Sequence, residues 1–279
     1  MIGLPQSLEC PVIDAEEQSD QSIQMGMLDS FFQSLKASRQ SCLLLDFDGT
    51  LAPFRVDPSK VRPWAGVASL LDEIRHTGRT HIAIVTGRPA LNVSLPLGLS
   101  APPEVWGLHG AEHLFPDGHI ERKELAANAR AALEAGRAAI NAARVGVRVE
   151  EKWNAVVVHW RGLPLHSRQA VESRAFNLLH PFSRQAELEL LQFDCGLELR
   201  AGPNKGDAVR NVLKEISVSV PIAYLGDDTT DEYAFQALEG RGLSVLVRRE
   251  RRPSAAQIWL RPPAELRGFL TSWLRAIRS

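Results

Sequence analysis

The chain has 279 residues, 44% of them apolar and 23% charged, enough to bury one large core or two modest ones. Its 32 basic and 33 acidic residues leave a formal charge of -1, which excludes the electrostatic footprint of a nucleic-acid or membrane-surface binder. Three widely spaced cysteines, Cys10, Cys42 and Cys195, make neither a disulfide framework nor a Cys-x-x-Cys metal site. No apolar run reaches membrane-spanning length, and Glu9, Asp14, Glu16 and Glu17 stand where a signal sequence would be basic. A reducing, cytoplasmic setting is expected.

In chain order, the first 22 or so residues are polar and have little to bury, and a flexible N-terminal tail is drawn at 1–28. The apolar spacing from Met25 to Leu35 predicts a short helix. Leu43-Leu44-Leu45 then reads as a strand buried on both faces, closing on Asp46-Phe47-Asp48-Gly49-Thr50. Val67 to Ile74 is a predicted helix, and His81 to Val85 a second buried strand ending in Thr86-Gly87-Arg88. Glu104 to Leu108 is a third strand, Glu121 to Arg144 an alanine-rich amphipathic helix, Val145 to Val149 and Ala155 to Arg161 strands, and Pro164 to Leu179 another helix. Leu188 to Phe193 and Leu197 to Arg200 read as a strand pair. Asn204-Lys205-Gly206-Asp207 opens a helix to about Ile216, Pro221 to Leu225 is a strand leading into Gly226-Asp227-Asp228, Leu243 to Val247 a further strand, and Ala264 to Ile277 a terminal helix.

Spacing locates a second domain. Asp48 to Thr86 is 38 positions and Lys205 to Asp227 is 22, but Arg88 to Lys205 is 117. The fold class expected is therefore α/β, a Rossmann-like core with a mainly parallel sheet over 29–116 and 201–279, carrying a smaller α+β domain inserted at 117–200.

Ligands of open α/β sheets bind beyond the carboxyl ends of the strands, which is where the chemistry-bearing residues fall. Residues two apart on extended chain point the same way, so Asp46 and Asp48 can face one substrate, with Thr50 adding a hydroxyl. Asp227, Asp228 and Asp231 bring the carboxylates to five. Like charges in one crevice require an offsetting cation, and an all-oxygen set without histidine or cysteine favours Mg²⁺ over zinc. Thr86-Gly87 and the point charge of Lys205 suit phosphate, whereas the Arg88 fork suits either phosphate or a core carboxylate. Carboxylates form aspartyl-phosphates, so Asp46 is expected to attack phosphorus while Asp48 handles the proton. Asp228 and Asp231 are expected to support these groups rather than to bind the ion. His109 and His159 are read as structural, Trp106, Trp160 and Trp259 as packing, and the arginines from Arg248 to Arg252 as a solvated loop.

Asp46-Phe47-Asp48-Gly49-Thr50, Thr86-Gly87-Arg88, Lys205 and Gly226-Asp227-Asp228 with Asp231 resemble, in order, the four motifs of the haloacid dehalogenase superfamily. That resemblance implies Asp46 as nucleophile, Asp48 as general acid and base, and Mg²⁺ held by Asp46, the Asp48 backbone carbonyl and Asp227, under an inserted cap. Over nearly all of 41–262 the chain is similar to the trehalose-6-phosphate phosphatase family. The residues that carry this likeness are Gly107-Leu108-His109-Gly110-Ala111-Glu112, Val149-Glu150-Glu151-Lys152, Val158-His159-Trp160-Arg161 and Leu197-Glu198-Leu199-Arg200, together with Gly226 to Glu232. It implies that Glu112, Glu151, Lys152, Arg161 and Glu198 grip a sugar-phosphate substrate, and that the chain pairs functionally with the synthase making it. Trp153, Ala201 and Tyr233 depart from the family pattern, which has glycine, proline and commonly an acidic residue there. The rival expectations are another sugar phosphate, such as sucrose 6-phosphate, and a non-catalytic sugar-phosphate-binding regulator.

Overall fold

The computed structural model describes residues 15–279 except 56, 146, 185, 186, 194 and 195; Cys10 and Cys195 and the tail before residue 15 lie outside that set. In chain order the core opens with α1 (Ala15–Ala37), β1 (Ser41–Leu45), α2 (Val67–His76), β2 (Thr80–Val85), α3 (Leu91–Leu97), β3 (Glu104–Gly107), β4 (Glu112–Leu114) and β5 (Ile120–Arg122). Next come α4 (Ala127–Ala142), β6 (Arg148–Lys152), β7 (Ala155–His159), α5 (Leu165–Ser183), β8 (Leu188–Phe193) and β9 (Gly196–Ala201). The chain then returns through α6 (Lys205–Glu215), β10 (Ile222–Gly226), α7 (Glu232–Ala237), β11 (Leu243–Val247), β12 (Ile258–Leu260) and α8 (Ala264–Arg278).

Eight strands form one sheet in the order β12-β11-β10-β1-β2-β3-β4-β5. The first six are parallel and the β4 and β5 pairings antiparallel. Alternation on β1 explains the three leucines. Leu43 and Leu45 join the core beneath α2 and α8, and Cys42 and Leu44 the core beneath α6 and α7. A strand covered by helices on both sides has no polar face to show. The chain leaves β1 towards β2 on one side and returns to β10 on the other, so the strand order reverses at β1, where a crevice opens.

Two expectations are corrected here. Residues 15–28, assigned to the tail, are the first part of α1, which is held because Leu28, Phe31 and Phe32 pack on the core and the Gln24 side chain accepts from the Trp259 amide. The helix expected from Glu121 starts at Ala127, because residues 120–122 are claimed by the main sheet as β5. The turn at Gly118, with φ of 90°, folds β5 back on β4, and Arg122 pairs with Glu112. The inserted unit thus separates after β5 rather than at 117.

That unit is a four-stranded antiparallel sheet, β6-β7-β9-β8. One face packs on α4 and α5 through Val156, Val158, Leu197 and Leu199. The opposite face carries Glu150, Lys152, His159 and Glu198 over the carboxyl ends of the core strands.

Candidate active site

Adjacent parallel strands β10, β1 and β2 lead directly into Asp227, Asp46 and Thr86, which line one cleft of about 350 Å³ between core and cap. After β1 the chain turns back on itself, with the Gly49 amide donating to the Ala52 carbonyl at 2.7 Å. Gly49 has φ of 93°, and a Cβ there would lie 2.1 Å from an Asp227 carboxylate oxygen, so only glycine lets the two loops close on each other. Lys205 is the first residue of α6, positioned by a capping box in which Asn204 and Asp207 satisfy each other's amides.

The buried acids form one network. Carboxylate oxygens of Asp46, Asp227 and Asp231 lie within 4.8 Å of one another. The Lys205 ammonium sits between Asp46 Oδ1 and Asp231 Oδ1, 2.7 Å from each. The Thr50 hydroxyl donates to Asp46 Oδ2 at 3.1 Å and lies 3.4 Å from Asp227. Lys205 and Thr50 therefore hold one oxygen each of Asp46. Asp231 is saturated: Tyr224 donates to its Oδ1 at 2.5 Å, and the amides of Asp227 and Asp228 to its Oδ2 at 3.0 Å each. It fastens the loop that carries Asp227.

The charge of the cluster is unbalanced. Three carboxylates face one ammonium. Burial, only partly relieved by Lys205, pushes Asp46 up to about 7. Asp227 is driven well above the carboxylate range by burial and then by Asp46 and Asp231. Burial alone would lower Lys205, but Asp231 and Asp46 raise it, so it stays protonated. The donor set is oxygen only, with a residual charge of two, which fits a hard divalent cation.

Asp48 lies at the rim. Arg88 grips it with both arms, Nε to Oδ2 at 2.5 Å and Nη2 to Oδ1 at 2.6 Å. Of the two partners expected for Arg88, a phosphate or a carboxylate, the structure shows the carboxylate Asp48, and Arg88 also stands over the Phe47 ring at 5.2 Å. Thr86 and Gly87 line the cleft beside Asp46. The helix expected to begin directly at this turn starts later, at Leu91.

The cap wall follows strand alternation. Arg148 pairs with His159, Glu150 with Val157 and Lys152 with Ala155, and Val157 with Glu198. Partners in a register share a face, and this face is the cleft. Lys152 Nζ donates to Glu198 Oε1 at 3.0 Å, and His109 of the core lies 3.1 Å from the other oxygen. Burial would raise Glu198, yet Lys152 and His109 hold it well below the carboxylate range. His109 is pushed down to about 4, first by burial, with Glu198 opposing, so it is a neutral imidazole at pH 7. Leu108 and His109 both have left-handed φ, 49° and 60°, a backbone strain that functional sites tend to store.

Two predicted substrate contacts are not brought to the cleft. Glu112 is buried in the core, accepting from the Ala90 amide at 2.9 Å and from Arg122 at 2.8 Å. Glu151 is exposed on the helix side of β6, bonded by Asn141 of α4. Conversely, Glu150 and His159, which hydrogen-bond at 2.8 Å, line the cleft and were missed as site residues. Period-two alternation from Lys152 reaches Glu150 and skips Glu151, so the signal was in the sequence. The His159 bond holds Glu150 at about 2, despite burial.

A parallel sheet reversing at an acid-bearing strand, a buried lysine between its carboxylates and a cap inserted after the second motif together make a haloacid dehalogenase-like fold. A haloalkanoate-superfamily phosphatase of Bacteroides thetaiotaomicron shares the fold with a TM-score of 0.54 at 18% identity, over 79% of this chain and 89% of that one. Within that class the chain belongs to the trehalose-phosphatase family, whose model matches residues 44–261. The trehalose-phosphate phosphatase of Mycobacterium marinum is 32% identical over 245 residues, 81% of this chain and 60% of that protein. The C-terminal domain of the Candida albicans trehalose-6-phosphate phosphatase has the same fold, with a TM-score of 0.77 at 19% identity over 90% of this chain and 96% of that one. The chain spans about 60% of the length of the curated relatives it matches. Among the described residues, no helix is long and apolar enough to cross a membrane.

Proposed function

We propose that this chain is a magnesium-dependent phosphoric monoester hydrolase that converts trehalose 6-phosphate to trehalose and inorganic phosphate through an aspartyl-phosphate on Asp46. The observation that carries the reading is the unbalanced acid cluster, three buried carboxylates against Lys205, opening into a cleft whose other wall is polar and cap-borne.

Thr86, Gly87 and Lys205 bind the phosphate. Lys205 and Thr50 fix the rotamer of Asp46, a carboxylate oxygen of which attacks phosphorus as the ester P–O bond breaks. Asp48, oriented by Arg88 and entering the step protonated on one oxygen released from that pair, gives its proton to the leaving sugar oxygen, then takes one from the water that attacks the phospho-aspartate and frees Asp46. Magnesium, held by Asp46, the Asp48 carbonyl and Asp227, would supply the missing positive charge to the cluster and to the phosphoryl oxygens. Lys152, Glu198 and Arg161, with Glu150 and His159 beside them, grip the sugar hydroxyls, which both donate and accept. The cap excludes bulk water while the phosphoryl group moves. The free buried thiol of Cys42 suits a cytoplasmic compartment, and the substrate requires a synthase upstream.

Phosphate release with Mg²⁺ across trehalose 6-phosphate, sucrose 6-phosphate, glucose 6-phosphate and p-nitrophenyl phosphate tests this. Preference for the first, lost with EDTA and in Asp46→Asn, is expected. Turnover undiminished in Asp46→Asn would sink the covalent role; preference for another sugar phosphate would replace the substrate and keep the chemistry.

A further inference from the structure

Most charged residues of the cleft are held by an ionic partner, but Arg161 is held in another way. Asp48 is clamped by Arg88, Asp46 by Lys205, Lys152 by Glu198 and Glu150 by His159. Among the described residues no hydrogen bond or ion pair is made by the Arg161 guanidinium. What touches it is an aromatic face: its Cζ lies 4.2 Å from the centroid of the Phe54 ring. The two residues belong to different domains. Phe54 follows the Asp46 to Thr50 loop of the core, and Arg161 follows β7 of the cap, so this contact spans the cleft mouth.

The geometry has a chemical consequence. A guanidinium stacked on a ring is bound through its π face, and its five N–H donors, which lie in the guanidinium plane, stay available at the edge. An ion pair would fix the same side chain but consume those donors. A ring also holds an arginine without adding a negative charge beside a site that binds an anion. Phe54 is exposed at 36% and belongs to none of the buried apolar clusters, so its ring is not needed to fill the core.

We infer that Phe54 is a positioning residue for Arg161: the ring is a rest on which the cap arginine is held, closed over the cleft, with its donor edge presented to the substrate. This rests on the proposed phosphatase reading and extends it to a residue of the core. Phe54→Leu keeps apolar volume and removes the π face, whereas Phe54→Tyr keeps both.

The test is a double-mutant cycle read as separate KM and kcat values for trehalose 6-phosphate, with wild type, Phe54→Leu, Arg161→Ala and the double variant, each checked for its fold by circular dichroism. Phe54→Leu is expected to raise KM about fivefold, the worth of a partly buried cation–π contact, with little change in kcat, and Phe54→Tyr to restore the wild-type value. In the Arg161→Ala background the Phe54→Leu penalty is expected to vanish, because the contact it removes is already gone. An undiminished penalty in that background, or failure of Phe54→Tyr to rescue, overturns the inference while leaving the phosphatase reading intact. A wild-type protein that hydrolyses none of the sugar phosphates overturns that reading instead, and the inference with it.

Discussion

Asp46 shows how a single residue is made both useful and costly. It is nearly inaccessible, tied to Lys205 and Thr50, and crowded by Asp227 and Asp231. Burial pushes its carboxyl up to about 7, so in the ion-free protein the folded state binds a proton that the unfolded chain, titrating near 3.8, gives up sooner. For an acid whose folded pKa is raised, that contribution to stability is present below about 4 and is lost as pH rises through about 7. A divalent cation acts in the opposite sense, since it binds the ionised carboxylates and must displace the proton to do so. Magnesium is therefore expected to raise the melting temperature more at pH 8 than at pH 5, measured against EDTA at each pH, with the difference abolished in Asp227→Asn. Equal stabilisation at both pH values would mean that the ion does not reach these carboxylates.

At the scale of the element, β6 carries an argument about specificity. Arg148, Glu150 and Lys152 face the cleft, while Val149 and Glu151 face the helices. Lys152→Ala and Glu150→Ala are expected to raise KM for the sugar phosphate by about tenfold, the range of a charge-assisted hydrogen bond. Glu151→Ala, which removes only the exposed bond to Asn141, should leave both kinetic constants within about twofold; a large KM effect there would place Glu151 in the site after all. The same strand separates what local sequence specifies from what distant partners decide. Asp46, Asp48, Thr86, Lys205 and Asp227 were legible because each stands at a strand end or helix start marked by glycine, a local signal. Glu112 and Glu151 were carried over by likeness alone. One is claimed by Arg122 and the Ala90 amide, the other by the wrong face of a strand, and both outcomes depend on partners distant in the chain. The fate of Arg88 was undecidable for the same reason, since its fork suits a phosphate and Asp48 equally well. β5 was lost inside a helical pattern because three residues give too short a run for periodicity to register.

At the scale of the whole molecule, the seam between cap and core holds a group of buried polar atoms that lack a partner. His109 Nδ1, Asn154 Oδ1 and two nitrogens of the buried Arg200 have no protein hydrogen-bond partner among the described residues. Asn154, at the tip of the β6–β7 hairpin, reaches the Leu108 carbonyl only at 3.5 Å while bonding Ala201 at 3.1 Å. Tyr233 donates to Glu189 of β8, and Thr229 to the Gln192 carbonyl at 3.2 Å, so the loop beyond Asp227 is also tied to the cap by a few polar contacts. Buried polar groups left unpaired each cost about 1–3 kcal/mol, and among the described residues none of these atoms belongs to β1 or β10. Opening along this seam should therefore be far cheaper than unfolding the core. Amide hydrogen exchange of the Asp46→Asn protein, expected not to turn the sugar phosphate over, is the measurement that checks this. Without ligand, residues 108–111, 154 and 201–204 are expected to exchange well ahead of β1 and β10. With trehalose 6-phosphate bound, the same segments should slow by about tenfold or more while β1 and β10 stay unchanged. Slowing confined to the Asp46 and Asp227 loops would mean that substrate binds without drawing the cap down, and that the polar seam is a fixed interface rather than the line along which the site closes.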